Sequence, residues 1–371
     1  MGIETGRIGE KGCAPKNYEP TSQSNPIADE IESGEACNWR KKRWELTLAT
    51  GAVGIERSGV GDDGHRTKRR LLVRLSSSHC MVSLTSMVYV SRMVNEVNEL
   101  EKTLKSAAMK DNKTVIITTL NAAWTEPNSI FDLFLESFKI GNGTQDLLKH
   151  VLVVALDQKA YSRCLEVRLH CYALTTEGID FSGEAHFMSE DYLKMMWRRI
   201  DFLHTVLQLG YDFVFTVPFE RFHPDGDFQI ACDHYWFNYT DLNNSPNGGF
   251  NYVKSNNRTI QFYKFWHTGR DYFPGKHDQD VLDVIKMNPF IKRIGLEMRF
   301  LDTAEFGGFC EPSKDLDRVV TMHANCCIGM ENKIHDIKMV IDDWKRYNIS
   351  IPIGGERNLS TRFWTVPRIC G

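Results

Sequence analysis

The chain has 371 residues and a net charge of −3, enough for two average domains or for one large domain with an extension. Its 45 basic residues are outnumbered by 48 acidic ones, which argues against a partner such as nucleic acid. The ten cysteines form no Cys-x-x-Cys pair. A zinc ribbon and a thioredoxin motif are therefore excluded, while disulfides stay open.

Residues 1–88 are rich in glycine, serine and charge and show no sustained hydrophobic period, so we expect a disordered extension. Acidic residues and prolines stand where a signal peptide has its apolar core. No stretch reaches the roughly 18 apolar residues of a membrane span, so neither an export signal nor a transmembrane segment is expected. A helical stem is predicted over 89–109, where Val94, Val97 and Leu100 recur at helical spacing.

Apolar runs then alternate with amphipathic segments. The short β-branched runs at 115–120 and 151–156 are typical of strands buried on both faces. Helical spacing is seen at 127–140 and at 189–209, and the apolar run YDFVFT at 211–216 is the next predicted strand. Strand, helix, strand, helix, strand predicts an α/β protein with a parallel sheet and crossover helices.

The second half is less regular. FQIAC (228–232) reads as a strand and DLNNSPNGGFNYV (241–253) as a loop. Further helices are predicted near 257–270, 279–287 and 331–346.

Two stretches here combine an ordinary structural interpretation with a functional one. NGGF (247–250) suits a turn that needs glycine, or a close approach of the backbone to a ligand. HDQDVLDVI places Asp278, Gln279 and Asp280 at a helix start, where acidic residues cap the helix. The same side chains could instead face the hydroxyls or developing positive charge of a sugar.

TMHANCC and PDGDFQ are candidate metal-ligand segments. His323 is a lone histidine that the pattern favours as structural, and Cys326 and Cys327 suit burial or disulfides. Asp225 and Asp227 have an Asp-x-Asp spacing that can hold Mg²⁺ or Mn²⁺, but their Pro-Gly context favours a turn.

Three common enzyme signatures are missing from the sequence. There is no G-x-S-x-G elbow, no P-loop and no G-x-G-x-x-G fingerprint. An α/β-hydrolase, a P-loop enzyme and a Rossmann dehydrogenase are thereby disfavoured.

A family resemblance rests on several long motifs in one order. They are TTLNAAW, MMWRRIDFLHTVLQLGYDFVFT, DFQIACDHY, NNSPNGGFNYVKSNNRTIQFYKFW, HDQDVL, RFLDTAEFGGFCEPS and TMHANCC. Over about residues 110–345 the chain resembles the nucleotide-diphospho-sugar transferase family of plant cell-wall glycosyltransferases, which includes arabinosyl- and xylosyltransferases. The resemblance implies a GT-A-like, Rossmann-like mixed sheet flanked by helices, in a domain at 110–347 followed by a tail at 348–371.

The resemblance also implies an activity. Its members look like retaining enzymes of the Golgi that use a UDP-sugar and Mn²⁺ (or Mg²⁺). The reaction would transfer a sugar, with a pentose as the family's tendency, to a cell-wall glycan or glycoprotein.

Site residues carry over from the same resemblance. After the first strand, Thr119 and Asn121 would face the nucleotide, and Arg198 or Arg199 would approach the diphosphate. The residues that would line the transferred sugar and the acceptor are Asn247, Gly248 and Gly249. The residues that would bracket the anomeric carbon are Asp278, Gln279 and Asp280. The metal ligand near the C-terminus would be His323.

One departure from the family lies after YDFVFT. Members continue there into D-x-D-x-x-W-x-R-x-P-F, whose acids hold the metal, whereas this chain runs from Thr216 through Val217 to Pro218, about eight residues shorter. The later Asp225 and Asp227 match other acids of the family and do not replace that pair. The gap indicates an inaccurate gene model or a degenerate copy, or else a natural silent member. The sequence therefore predicts an impaired transferase, with a silent sugar-nucleotide-binding or transferase-partner protein as the alternative.

Overall fold

The computed structural model describes residues 84–176, 178–215, 221–349 and 363–370. Helix α1 (Leu84–Ala107) comes first and begins before the stem predicted from residue 89. Its residues up to 98 belong to one compact unit, and its last turns belong to the unit that holds everything downstream. The rest of the predicted N-terminal extension, 1–83, lies outside the described residues.

A seven-stranded sheet forms the centre of the downstream unit, in the order β3-β2-β1-β4-β6-β5-β7. Its strands are β1 (Thr114–Leu120), β2 (Val151–Ala155), β3 (His170–Ala173), β4 (Asp212–Val214), β5 (Phe228–His234), β6 (Ser245–Val253) and β7 (Met298–Phe300). A second, two-stranded sheet pairs β8 (Phe306–Gly308) with β9 (Thr321–His323) in parallel.

Helices connect these strands. They are α2 (Ile130–Ile140), α3 (Gln158–Glu166), α4 (Glu190–Gln208), α5 (Asn257–Tyr272), α6 (Asp278–Ile285), α7 (Pro289–Arg293) and α8 (Met330–Ile349). No helix within the described ranges is long and apolar enough to cross a membrane.

The sheet has two halves that differ in strand direction. Strands β3, β2, β1 and β4 are all parallel, whereas β6 runs antiparallel to both β4 and β5. Strand β7 then pairs in parallel with β5. The predicted fold class is confirmed: this is a mixed α/β protein with a mostly parallel, GT-A-like sheet between helices.

The predicted elements of the parallel half are confirmed. Strands β1 and β2 are buried along almost their whole length, as expected of strands covered by helices on both faces. Helix α4 ends where Gly210 takes a left-handed φ of +84°, a conformation that glycine adopts without steric cost. The strand predicted over 211–216 corresponds to the shorter β4, and residue 216 lies outside the described residues.

The turn predicted at NGGF is wrong. Residues 247–250 lie inside β6, a buried strand that pairs on both sides. Neither Gly248 nor Gly249 has the left-handed φ that a glycine turn would use. The local composition suggested a turn, but the pairing of the flanking residues with β5, Pro246 with Cys232 and Asn251 with Ile230, keeps this segment within the strand.

Three disulfides join described cysteines: Cys164–Cys171, Cys310–Cys326 and Cys327–Cys370. The last of them fixes the described part of the C-terminal tail, 363–370, to the region before α8. The buried carboxylate of Asp336 adds to this attachment by accepting backbone N–H bonds from residues 368–370. These contacts attach residues 368–370 to α8 and to the segment before it.

Candidate functional site

A small cavity lies at the carboxyl end of β1. It has a volume of about 50 Å³, and Thr119 and Asn121 line it together with Arg199 of α4 and Lys333 of α8. From β1 the chain builds β2 and then β3 on one side of β1. It then returns to place β4 on the other side of β1. Open α/β sheets bind ligands at such a reversal of strand order.

Two of these lining residues are buried cations. Arg199 is 4% exposed and Lys333 is 3% exposed. The first turn of α8 contributes Gly329 and Met330 to the same cavity, and the N-terminus of a helix carries a partial positive charge. Glu184 lines the cavity as well, so two basic side chains, one acidic side chain and a helix N-terminus, a common anion site, face it together.

Lys333 was not among the predicted site residues. A usable signal was present in the sequence, because a lysine in the first turn of a helix is disfavoured by the helix dipole. Burying its ammonium group as well is costly unless a charge or a polar group compensates.

Asn121 shapes the rim of the cavity. Its side-chain Nδ2 donates to the carbonyl oxygens of Phe181 (2.9 Å) and Gly183 (3.0 Å). The amide thus holds the 181–183 loop over the end of β1, and Thr119 lines the cavity beside it.

A buried ion pair connects this cavity to α6. Arg199 donates to the Asp278 carboxylate over 2.6 Å and to the Gly248 carbonyl oxygen over 3.4 Å. Burial alone would raise the pKa of Asp278, but the charges and hydrogen bonds of Arg199 and His277 lower it to about 2. Asp278 has no exposed surface, so it acts on a ligand only by positioning Arg199.

Next to the ion pair, four polar side chains converge in an amide cluster: Asp233, Asn247, Gln279 and Asn325. Asp233 Oδ1 accepts from Asn247 Nδ2 and Asn325 Nδ2, each over 2.8 Å. Its Oδ2 accepts from Gln279 Nε2 over 3.0 Å, while Gln279 Oε1 accepts from Gly248 N over 2.8 Å. The cluster therefore ties β5, β6 and α6 to the segment after β9.

Asp233 is the centre of the amide cluster. Burial raises its pKa, and hydrogen bonds from Asn247, Asn325 and Gln279 offset part of that rise. Because these donors are neutral amides, the carboxylate is fixed in direction without being neutralised by them.

Sequence reasoning found Asn247 and Gln279 but missed Asp233 and Asn325. Asp233 directly follows the predicted strand FQIAC, and Asn325 lies two residues after His323. Their position after strands was the available signal.

Two predicted residues lie away from this cluster. Arg198 forms a salt bridge with Asp201 on its own helix, over 2.6 Å. Asp280 faces His277 and Lys276, at 3.5 and 4.0 Å. The structure therefore separates Asp280 from Gln279, and it selects Arg199 rather than Arg198 as the arginine of the site.

His323 is buried at the end of β9 and lines a larger cavity of about 470 Å³. Arg221, Phe250, Trp344 and Trp364 are among the other lining residues. Among the described residues, no three His, Cys, Asp or Glu side chains come close enough to hold a metal ion. The donor set that these residues supply does not fit the metal implied by the resemblance.

The acids of PDGDFQ are committed to arginines. Asp225 pairs with Arg299 over 2.6 Å, and Asp227 pairs with Arg258 over 2.7 Å. This agrees with the structural interpretation of the segment and leaves neither carboxylate as a metal ligand.

A comparison of the sequence with known protein families finds a match. The family model of nucleotide-diphospho-sugar transferases matches residues 146–337. The chain belongs to this family. The match runs from β2 to the first half of α8, and its range includes the amide-cluster residues, Arg199 and Lys333.

Two similar proteins come from Arabidopsis thaliana. Uncharacterized protein At4g15970 is 59% identical over 253 residues, which covers 68% of this chain and 69% of that protein. Uncharacterized protein At1g28695 is 43% identical over 267 residues, covering 68% and 80%. No solved structure matches the chain.

Proposed function

We propose that this protein is a retaining glycosyltransferase that moves a sugar from a UDP-sugar to a cell-wall glycan or glycoprotein. The observation that carries the proposal is the pair of buried cations, Arg199 and Lys333, in one cavity at the strand-order reversal. A nucleoside diphosphate brings negative charge that such a cavity stabilises. Family membership supplies the sugar attached to it.

The residues take complementary roles in this proposal. Arg199 and Lys333 hold the diphosphate and stabilise the charge that develops as it leaves. Gln279, oriented by Asp233, hydrogen-bonds the hydroxyls of the transferred sugar, while the buried Asn247 helps to fix the direction of Asp233. The buried amide cluster fixes these directions before a donor arrives, so little reorganisation is needed.

A divalent cation would neutralise the leaving diphosphate when bound. The described residues do not bring together a set of side chains that could hold this cation. The shortened junction after Thr216 lies outside the described residues. We therefore propose that this chain transfers sugar more slowly than a relative with the D-x-D segment. The same observation favours the second candidate, a silent protein that binds a sugar nucleotide without turnover.

Donor binding is tested by calorimetry with UDP and UDP-pentoses. Lys333→Met should weaken UDP binding by at least about tenfold, because the lost charge is buried beside the diphosphate. Lys338→Met removes an exposed lysine from the same helix and should leave binding unchanged. Equal affinities of the two variants would contradict the assignment of the cavity.

Turnover separates the two candidate functions. Transfer and UDP-sugar hydrolysis are measured with Mn²⁺ for the chain and for a version with a D-x-D-x-x-W-x-R segment inserted between Thr216 and Val217. The insertion should raise turnover by about 100-fold or more, the scale of one lost electrostatic stabiliser. Full activity of the unmodified chain would show that other residues supply the metal site. Sequencing the transcript across this junction tells whether the gap is natural.

We also propose that the protein works in the Golgi lumen. The three disulfides support an oxidising compartment. Protein extracted from plant tissue under thiol-blocking conditions should show six protected cysteines, and full alkylation of these thiols would contradict the proposal. Microscopy of the tagged chain then tests the Golgi itself.

A further inference from the structure

Four aromatic residues follow β5 in a surface segment, Tyr235, Trp236, Phe237 and Tyr239, here called the aromatic platform. Trp236 is 59% exposed, Phe237 is 91% exposed and Tyr239 is 41% exposed. Large apolar side chains grouped at one surface site mark an interaction site more often than scattered ones do.

The backbone of this segment is firmly held. Asn244 is fully buried and its Oδ1 accepts from Trp236 N over 2.6 Å. Its Nδ2 donates to the carbonyl oxygens of Asn238 and Asp241, each over 2.8 Å. Lys286, also buried, donates to the Asn244 carbonyl oxygen. The aromatic side chains are therefore presented by a fixed loop.

Two further features support a purpose for this exposure. Phe237 has a φ of +64°, a left-handed conformation that is rare and unfavourable for a bulky side chain. Tyr239 stacks on His223 with 4.3 Å between ring centroids, and its carbonyl oxygen accepts from Phe300 N. The Tyr239 ring is thus held in place by stacking. The Phe237 ring is exposed by a backbone conformation that costs free energy.

The platform is continuous with the proposed donor site. It begins two residues after Asp233, the centre of the amide cluster, on the same strand end. Tyr235 N donates to Glu311 Oε2 over 2.9 Å, next to Cys310, whose N donates to Asn325 of the cluster. The platform and the amide cluster are therefore neighbours at the end of β5.

Resting on the proposed function, we propose that the aromatic platform binds the sugar rings of a neutral glycan acceptor. The C–H bonds on one face of a sugar ring carry slight positive charge and pack against the negative face of an aromatic ring. The hydroxyl groups stay in water at the ring edges. No lysine or arginine occurs between residues 234 and 244. Arg299 lies 5.8 Å from the centroid of the Tyr239 ring, but its charge is paired with Asp225 and Glu297, so the platform offers little positive charge to a polyanionic glycan.

The test is titration of xylohexaose, cellohexaose and hexagalacturonate into the full chain, followed by calorimetry and tryptophan fluorescence. Trp236→Ala and Phe237→Ala should each weaken binding of a neutral oligosaccharide by about tenfold, whereas Trp236→Phe should retain it. Leu165→Ala, which removes an exposed apolar side chain from α3, is the matched control and should bind normally. Asn238 begins an Asn-Tyr-Thr glycosylation sequon within the platform segment. Expression in a host without N-glycosylation therefore keeps its side chain unmodified.

UDP affinity is measured for every variant, because it should be unchanged by the platform substitutions. UDP binding without neutral-oligosaccharide binding would overturn the platform and leave the proposed donor site standing. Oligosaccharide binding without UDP binding would do the reverse. Preferred binding of hexagalacturonate overturns the neutral class, and Trp236-dependent flotation with phosphatidylcholine vesicles, without oligosaccharide binding, overturns the glycan in favour of a membrane.

Discussion

The two halves of the sheet bury different kinds of side chain. In the parallel half, β1 and β2 bury aliphatic residues such as Ile117 and Val153 without exposed surface. In the antiparallel half, β5 and β6 bury Gln229, Asn247 and Asn251 just as deeply. A buried amide is costly without hydrogen-bond partners, so the second half depends on directional contacts where the first depends on packing. The amide cluster and the aromatic platform adjoin that second half, whereas the cavity proposed for the diphosphate lies at the end of β1 in the first half.

The largest expected difference between the halves concerns the Arg199–Asp278 pair. Arg199→Met leaves a buried carboxylate without its cation and should cost about 3–5 kcal/mol of unfolding free energy. In the parallel half, Ile117→Val removes one methyl group and should cost only about 0.5–1.5 kcal/mol. Urea unfolding measures both.

The double variant Arg199→Met with Asp278→Leu is the control for this effect. Removing both charges should recover most of the stability, because no buried charge then lacks a partner. An Arg199→Met variant as stable as Ile117→Val would contradict the distinction between the halves.

The disulfides give the next comparison. Cys164–Cys171 in the parallel half spans 7 residues, whereas Cys327–Cys370 spans 43. Loop-closure entropy predicts that replacing each pair by serines costs about 2 kcal/mol for the short loop and about 4 kcal/mol for the long one. Thermal unfolding of the two double-serine variants ranks them, and the reverse order would mean that native contacts dominate over chain entropy.

The pH dependence of stability should report on the Asp278 carboxylate. Its pKa of about 2 lies below the ordinary value of 3.8, so its contribution is present above pH 3.8 and is lost as pH falls from there toward 2. The contribution is on the order of 2 kcal/mol. Urea unfolding at pH 5 and at pH 2.5 should show a smaller drop for Asp278→Asn than for wild type, and an equal drop would assign the acid sensitivity to other groups.

The smallest expected effect is that of His323→Ala. If His323 contacts a Mn²⁺ ion held mainly by the diphosphate, its loss should weaken Mn²⁺-dependent UDP binding by at most about tenfold. Cooperative unfolding should persist. Calorimetry with and without Mn²⁺ separates the outcomes, since equal binding by the variant would make His323 a structural residue.

The sequence alone predicted most of the parallel half of the sheet, although it missed α3 and β3. Continuous β-branched runs predicted β1 and β2, helical spacing predicted α2 and α4, and Gly210 marked the end of α4. These features depend on interactions between residues close in the chain, which a periodic pattern records. The alternation of these elements also predicted the α/β fold class, and the family resemblance added its GT-A-like character and the candidate site residues.

Only the tertiary structure decided how the site is built. Arg199 meets Asp278 across 79 residues, and Gln279 meets Asp233 across 46. The fold also places NGGF inside β6, which lies between β4 and β5. It brings Lys333 to the end of β1. Hydrogen bonds and ion pairs of this kind depend on distance and direction in space, which the order of residues along the chain does not contain.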